Sequence, residues 1–235
     1  MGRYMELQRD GSVVVMTLTR GDEANTFRRD VLEEYLETFD EIENTEGNLA
    51  LLITSNSPKY WCTGIDLEWL STQPKEYFLE FASLMDRVFL RAALLNLPTV
   101  GCLTGHTFAG GAILASALDF RFMREDRGWF CFPEVDIKIP FSLLMQEIVE
   151  MLPNPHAVKE LILTGRRIGG REAAELRIVD GAYPPEELFE KSLEYAHMLS
   201  QKDRKTYTQI KHTWRRSILR LKKAVLEGTV SFHEI

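Results

Sequence analysis

Cysteine is scarce in this 235-residue chain. Cys62, Cys102 and Cys131 are its only three, and none belongs to a C-x-x-C pair. An odd, sparse set argues against a disulfide framework and predicts reduced thiols in a cytoplasmic setting. The five histidines show no H-E-x-x-H spacing, so no metal site is expected. No apolar run approaches the roughly 20 residues that span a bilayer, so no membrane partner is expected. A basic excess is missing as well. The net charge is −7, which argues against general nucleic-acid binding but leaves room for a local basic patch to hold an anionic ligand. Met1–Asp10 lacks a basic head followed by an apolar run, and Phe232–Ile235 match no common targeting tail. Gly105–Ala109 lacks the serine and closing glycine of a nucleophile elbow, and Gly165–Arg171 lacks the Lys-Ser/Thr of a phosphate loop.

What is present fits one folded domain. Hydrophobic residues make up 45% of the chain, enough for a sizeable core. Val13–Thr19, Leu49–Thr54 and Thr99–Leu103 read as strands, and Asp119–Met123 and Trp129–Phe132 as shorter ones. Val31, Leu32, Tyr35, Leu36, Phe39 and Ile42 keep helical spacing, with Asn25 or Thr26 as the expected cap. Lys75–Asn96 reads as a long amphipathic helix ended by Pro98. From Phe141 onward the pattern is helical, broken at Pro153-Asn154-Pro155, Gly169-Gly170 and Pro184-Pro185, with no second set of strands. Alternating strands and helices predict an α/β core over 1–183, with a helical region over 184–235 as a cover or assembly surface.

Two glycine stretches follow apolar runs and open expected helices. They are Trp61-Cys62-Thr63-Gly64-Ile65-Asp66-Leu67 and Gly105-His106-Thr107-Phe108-Ala109-Gly110-Gly111-Ala112. A helix start aims free N–H groups at negative charge, and glycine lets a ligand approach the backbone. Glu134 follows in Phe132-Pro133-Glu134-Val135-Asp136. Two such donors and one base suffice to pull a proton from the carbon beside a carbonyl. Phe132, Val135 and Ile137 are apolar neighbours expected to raise the proton affinity of Glu134. Asp136 is the rival acid, and Asp66 reads as a helix cap.

These segments, in this order, resemble the crotonase superfamily, the enoyl-CoA hydratase/isomerase family, over roughly Val13 to Tyr183. Further resemblance lies in Arg20–Asn25, in Ala157–Gly165 and in Ile178-Val179-Asp180-Gly181. The resemblance implies a spiral of β-β-α turns with a helical C-terminal trimerisation region, hence a homotrimer or hexamer. It also implies an acyl-CoA thioester as substrate, with coenzyme A part of that substrate and no separate cofactor. By motif position the oxyanion donors would be the N–H groups of Ile65 and Gly110, and the acid/base would be Glu134. Ala24, Asn25, Thr63, Gly64, Asp66, Leu67, Phe108, Gly111 and Ile113 would contact the substrate. Hydratases of the family use two glutamates, and Ile113 occupies the position of the first.

Within the family, Glu134-Val135-Asp136-Ile137 most resembles the 3,2-enoyl-CoA isomerases, and one acid suits the shift of a 3-enoyl-CoA double bond to the conjugated 2-enoyl-CoA which that resemblance implies. The alternatives are a hydratase with altered acids, a thioester hydrolase, or a CoA-ester binding protein of low activity. Ile113, together with Glu68 where many relatives carry lysine, lends the binding protein some support, and the retention of Glu134 argues against it. Lys202–Lys223 holds nine Lys/Arg and one acid, Asp203. It reads as a solvated helix face or as a contact for CoA phosphates through Lys211 and Arg215. Phe108 and Phe141 read as acyl-channel walls or as core, and His106 as a loop histidine rather than a proton carrier.

Overall fold

The computed structural model describes residues 2–230. The tail at Phe232–Ile235, and with it the end of the 184–235 region, lies outside the described residues. A hairpin comes first: β1 (Met5–Asp10) and β2 (Val13–Leu18) pair antiparallel across a two-residue turn. Gly11 sits there at φ 57°, which glycine adopts without steric cost. No strand signal precedes Val13 in the sequence. β1 escapes notice because it is an edge strand whose last three residues are exposed, so it needs no apolar alternation.

α1 (Arg29–Glu43) buries Val31, Leu32, Tyr35, Phe39 and Ile42, as their spacing predicts. Its cap differs from expectation. Arg28 holds the N-cap position without a side-chain cap bond. Asn25 turns inward instead, donating to Ser55 Oγ at 2.8 Å and to the Trp61 carbonyl at 2.9 Å. Thr26 Oγ1 donates to the Glu23 carbonyl.

The chain continues through β3 (Ala50–Ser55), β4 (Tyr60–Cys62), α2 (Leu67–Ser71), α3 (Tyr77–Leu94), β5 (Thr99–Leu103), β6 (His106–Phe108) and α4 (Gly110–Ala117). Next come β7 (Phe120–Arg124), β8 (Phe130–Cys131), α5 (Glu134–Ile137), α6 (Leu143–Glu150), α7 (Pro155–Thr164) and α8 (Gly170–Glu175). β9 (Gly181–Tyr183), α9 (Pro185–Ser200), α10 (Arg204–Trp214) and α11 (Arg216–Leu226) complete it. The large sheet has the order β1-β2-β3-β5-β7-β9, parallel from β2 onward. β9 joins it although the helical last third shows no strand signal; three residues, Gly-Ala-Tyr, are too few to carry a pattern.

The near-continuous apolar runs of β2, β3 and β5 follow from cover on both faces. Val13, Val15, Ala50, Leu52, Val100 and Cys102 point to one core shared with Leu188, Ala196 and Leu199 of α9. The alternate residues Val14, Met16, Leu51, Ile53 and Leu103 point to the other, with Phe27, Tyr35, Phe39 and Phe89. A period of two thus sorts each strand between two cores. All three cysteines are free and buried. None of the described helices is long and apolar enough to cross a membrane.

Candidate active site

A second sheet, β4-β6-β8, is small and wholly parallel. Parallel strands release their following segments at one edge. That edge carries Thr63-Gly64-Ile65 after β4, Ala109-Gly110 after β6 and Pro133-Glu134 after β8. Residues about 70 positions apart therefore meet at a cavity of about 150 Å³. Thr63, Ile65, Leu67, Phe108, Gly110, Ile113 and Glu134 all line it.

Local geometry frees two amides there. Phe27 N donates to Gly64 O at 2.8 Å, and Asp66 N donates to Phe27 O at 3.1 Å. This parallel bridge engages the groups on either side of Ile65 and leaves the Ile65 N–H facing away. Ala109 takes φ 48° and ψ −126°, a strained conformation for a residue with a Cβ, costing about 1–3 kcal/mol. That bend starts α4 at Gly110, whose N–H has no helical acceptor. Among the described residues neither amide donates to any acceptor. The two segments touch closely. A Cβ on Gly64 would lie 2.7 Å from Gly110 N, and one on Gly110 would lie 2.9 Å from the Phe27 ring.

Glu134 opens α5 and is buried, with Oε2 lacking any hydrogen-bond partner. Burial pushes its carboxyl up to about 7. Phe132 is buried as expected, but Val135 and Ile137 are 52% and 37% exposed. Ile137 still lines the cavity, with Ile113, Ile139, Pro133 and Pro140. The rival acid, Asp136, is exposed and outside the lining.

Not every expected contact lies on the cavity. Ala24 sits behind Thr63, its carbonyl accepting from Thr63 N at 3.2 Å. The Asn25 side chain is engaged in the interior, as described. Gly111 serves packing, since a Cβ there would lie 2.2 Å from Cys62 O. Gly64 supplies closeness to Gly110 rather than lining. Asp66 caps α2, accepting from Trp69 N at 2.9 Å, and also accepts from Arg28 Nε at 2.7 Å. Phe141 packs edge-on against Phe132, at 6.0 Å between ring centroids, outside the lining. His106 lies on β6, between the rings of Tyr60 and Phe108.

The reading of Lys211 and Arg215 as a solvated face or as phosphate contacts is corrected. Both are buried and paired with Asp119, Lys211 Nζ at 3.0 Å and Arg215 Nη2 at 3.0 Å. A run of cations in a sequence does not reveal an acid 90 residues earlier. Sequence signals also missed the helix wall of the cavity, Phe78, Phe81, Ala82 and Met85 of α3 with Met145 of α6. These residues sit on ordinary amphipathic faces, and nothing in their spacing separates wall from core. Among the described residues no group of three or more His, Cys, Asp or Glu is set to hold a metal ion.

Comparison with known proteins gives a family model described as enoyl-CoA hydratase/isomerase, which matches residues 8–234. The chain is 35% identical over 188 residues to enoyl-CoA delta isomerase 2, peroxisomal, of Arabidopsis thaliana, covering 77% of this chain and 78% of the relative. It is 28% identical over 193 residues to the short-chain-enoyl-CoA hydratase of Clostridium acetobutylicum, covering 82% and 74%. The crystal structure of an enoyl-CoA hydratase from Bacillus anthracis superposes with a TM-score of 0.82 at 23% identity, over 97% of this chain and 91% of that one.

Proposed function

The chain belongs to the enoyl-CoA hydratase/isomerase family, and from that premise we propose that it shifts the double bond of a 3-enoyl-CoA into conjugation with the thioester. Glu134 takes a proton from the α-carbon. The negative charge that develops on the thioester oxygen is met by the N–H groups of Ile65 and Gly110. The protonated Glu134 then returns its proton to the γ-carbon, giving the 2-enoyl-CoA. Each amide is worth on the order of 2.7–4 kcal/mol of barrier, by analogy with other oxyanion holes.

One observation carries the choice of isomerase over hydratase: among the described residues lining the cavity, Glu134 is the only acid. Hydration calls for two groups to hold and activate water. Here Ile113, 1% exposed, stands at the motif position of the first of them and lines the same cavity, and the rest of the wall is largely apolar. Such a wall disfavours a bound water and leaves one group to move the proton both ways.

The deciding experiment pairs two substrates. With 3-hexenoyl-CoA, conjugation followed by ultraviolet absorbance is expected; with crotonyl-CoA, no hydration is expected. Hydration of the second would establish the rival activity, release of free coenzyme A a hydrolase, and binding without turnover a binding protein. Glu134→Gln should abolish conjugation while binding of the ester survives; near-normal turnover in that variant would refute the assignment.

The same membership supports a homotrimer, or two trimers paired, and the three free cysteines support a cytoplasmic setting. Ile210 and Trp214, 65% and 70% exposed on α10, are apolar surface suited to burial between subunits. Light scattering on purified protein at micromolar concentration tests the assembly, and a monomer there would overturn it.

A further inference from the structure

The cavity has an open side and a closed one. Leu67, two residues past Ile65, and Ile137, on α5 with Glu134, both line it and remain 47% and 37% exposed. The reacting groups therefore lie towards solvent. On the other side, Phe78, Phe81, Ala82 and Met85 form one stripe along α3, at i, i+3, i+4 and i+7. Phe78 is half-buried, whereas Phe81, Ala82 and Met85 are buried. By the rise of a helix, Met85 lies about 10 Å beyond Phe78. Ile113 of α4 and Met145 of α6 also line the cavity and are buried. α3, α4 and α6 pack on one another in all three pairs, so they close around its end.

That end is braced from behind. Asp86, next to Met85, accepts from Ser142 Oγ at 2.9 Å, and the same oxygen accepts from Met145 N at 3.2 Å. A buried bond thus ties together the two turns that carry the methionines. α11 packs across both α3 and α6, with Ile218 and Val225 buried. A longer guest would have to displace this backing, and overpacking a filled core is unfavourable.

We propose that the acyl chain of the substrate ends on Met85, Ile113 and Met145, so that the protein takes short-chain esters of about six carbons, counted from the thioester, and rejects chains of about ten or more. An apolar cavity of about 150 Å³ in another protein takes up benzene, six carbons, and the cavity here has about that volume. Unbranched thioether side chains adapt more readily than branched ones, so the limit is graded over roughly a carbon or two. The inference rests on the reading of the substrate as a CoA ester. It adds the length of the chain and the residues that set it.

The test is a series of saturated esters, butanoyl-, hexanoyl-, octanoyl- and decanoyl-CoA, which bind without reacting. Their binding to the full chain is measured by calorimetry. Each buried methylene is worth roughly three- to fourfold in affinity. Affinity should rise by roughly tenfold from butanoyl- to hexanoyl-CoA, stop rising by octanoyl-CoA and fall for decanoyl-CoA. Met85→Ala and Met145→Ala should each move the best chain to octanoyl-CoA. Leu84→Ala, on the face of α3 turned to the groove beside α1, should not. A rise that continues by the same factor through decanoyl-CoA in the wild-type protein would overturn the proposal whether or not the variants fold, as would equal affinity across the series. The same shift in Leu84→Ala would show general loosening and overturn the assignment of the end wall. Wild-type protein that conjugates 3-dodecenoyl-CoA as readily as 3-hexenoyl-CoA would refute the inference and leave the isomerase reading in place. The expected cut-off in a protein that leaves 3-hexenoyl-CoA unconjugated would refute the isomerase reading alone. Failure to bind any of the esters would refute both.

Discussion

Glu134 owes its high proton affinity to burial, with no nearby acid among the causes of its shift. The base proposed here must be ionised to act, so on that reading the fraction ready for catalysis rises with pH through about 7. The expected kcat/KM for 3-hexenoyl-CoA therefore climbs between pH 5 and 8 and then levels. A profile already flat at pH 5 would contradict the role given to this carboxyl. A second buried acid behaves alike. Asp86 on α3 is 3% exposed, accepts from Ser142 Oγ at 2.9 Å, and is pushed by burial up to about 7. Below that value the folded chain holds a proton that the unfolded chain has already released. Stability therefore falls as pH rises from the ordinary carboxyl range through about 7. Asp86→Asn should flatten this decline by about 2–3 kcal/mol between pH 5 and 8, measured by urea unfolding, while the midpoint of the pH–rate profile stays in place. An unchanged decline would show that Asp86 is not the group responsible.

At the scale of elements, the site depends on two turns meeting. Gly64 has φ +79°, and an added Cβ would strike Gly110 N at 2.7 Å. Gly64→Ala should thus cost about 1–2 kcal/mol of stability from the left-handed backbone alone. It should also displace both amides, lowering kcat by on the order of 10²–10³-fold, with a smaller change in ester binding. Steady-state kinetics beside a thermal scan check this; equal losses in kcat and in ester affinity would mean that the turn merely shapes the cavity. These turns were legible because glycine after an apolar run, twice and in order with Glu134, carries a backbone requirement that the sequence displays. The strain at Ala109 was not, because alanine gives no sign of a positive φ. β1, β9 and the true helix start at Arg28 were hidden for a related reason: edge position, shortness and a cap without a side-chain bond leave no compositional mark. The pairing of Lys211 and Arg215 with Asp119 was hidden because buried ion pairs are fixed by tertiary contact, while the run of cations around them resembles any solvated helix.

At the scale of the molecule, one carboxylate joins the C-terminal helices to the core. Asp119 accepts from Thr99 N at 2.9 Å, Lys211 Nζ at 3.0 Å, Arg215 Nη2 at 3.0 Å and Tyr207 Oη at 3.2 Å. Arg215 also donates to the carbonyls of Ala93, Ala117 and Leu118, at the ends of α3 and α4. Arg121 donates to the carbonyls of Ala115 and Leu118. Two guanidinium groups thus hold the negative end of α4, whose positive end starts at Gly110. Removing the acid leaves two buried cations without their counter-charge, a loss of about 3–5 kcal/mol that a buried salt bridge with both partners intact would not predict. Asp119→Ala should lower Tm by on the order of 10 °C for a chain of this size. Lys211→Met removes a charge while keeping the stem's volume, and leaves Asp119 paired with Arg215, so it should cost clearly less. If thermal scans gave the two variants the same small shift, the C-terminal helices would be held by apolar packing, and the clamp on α4 would contribute little to the fold.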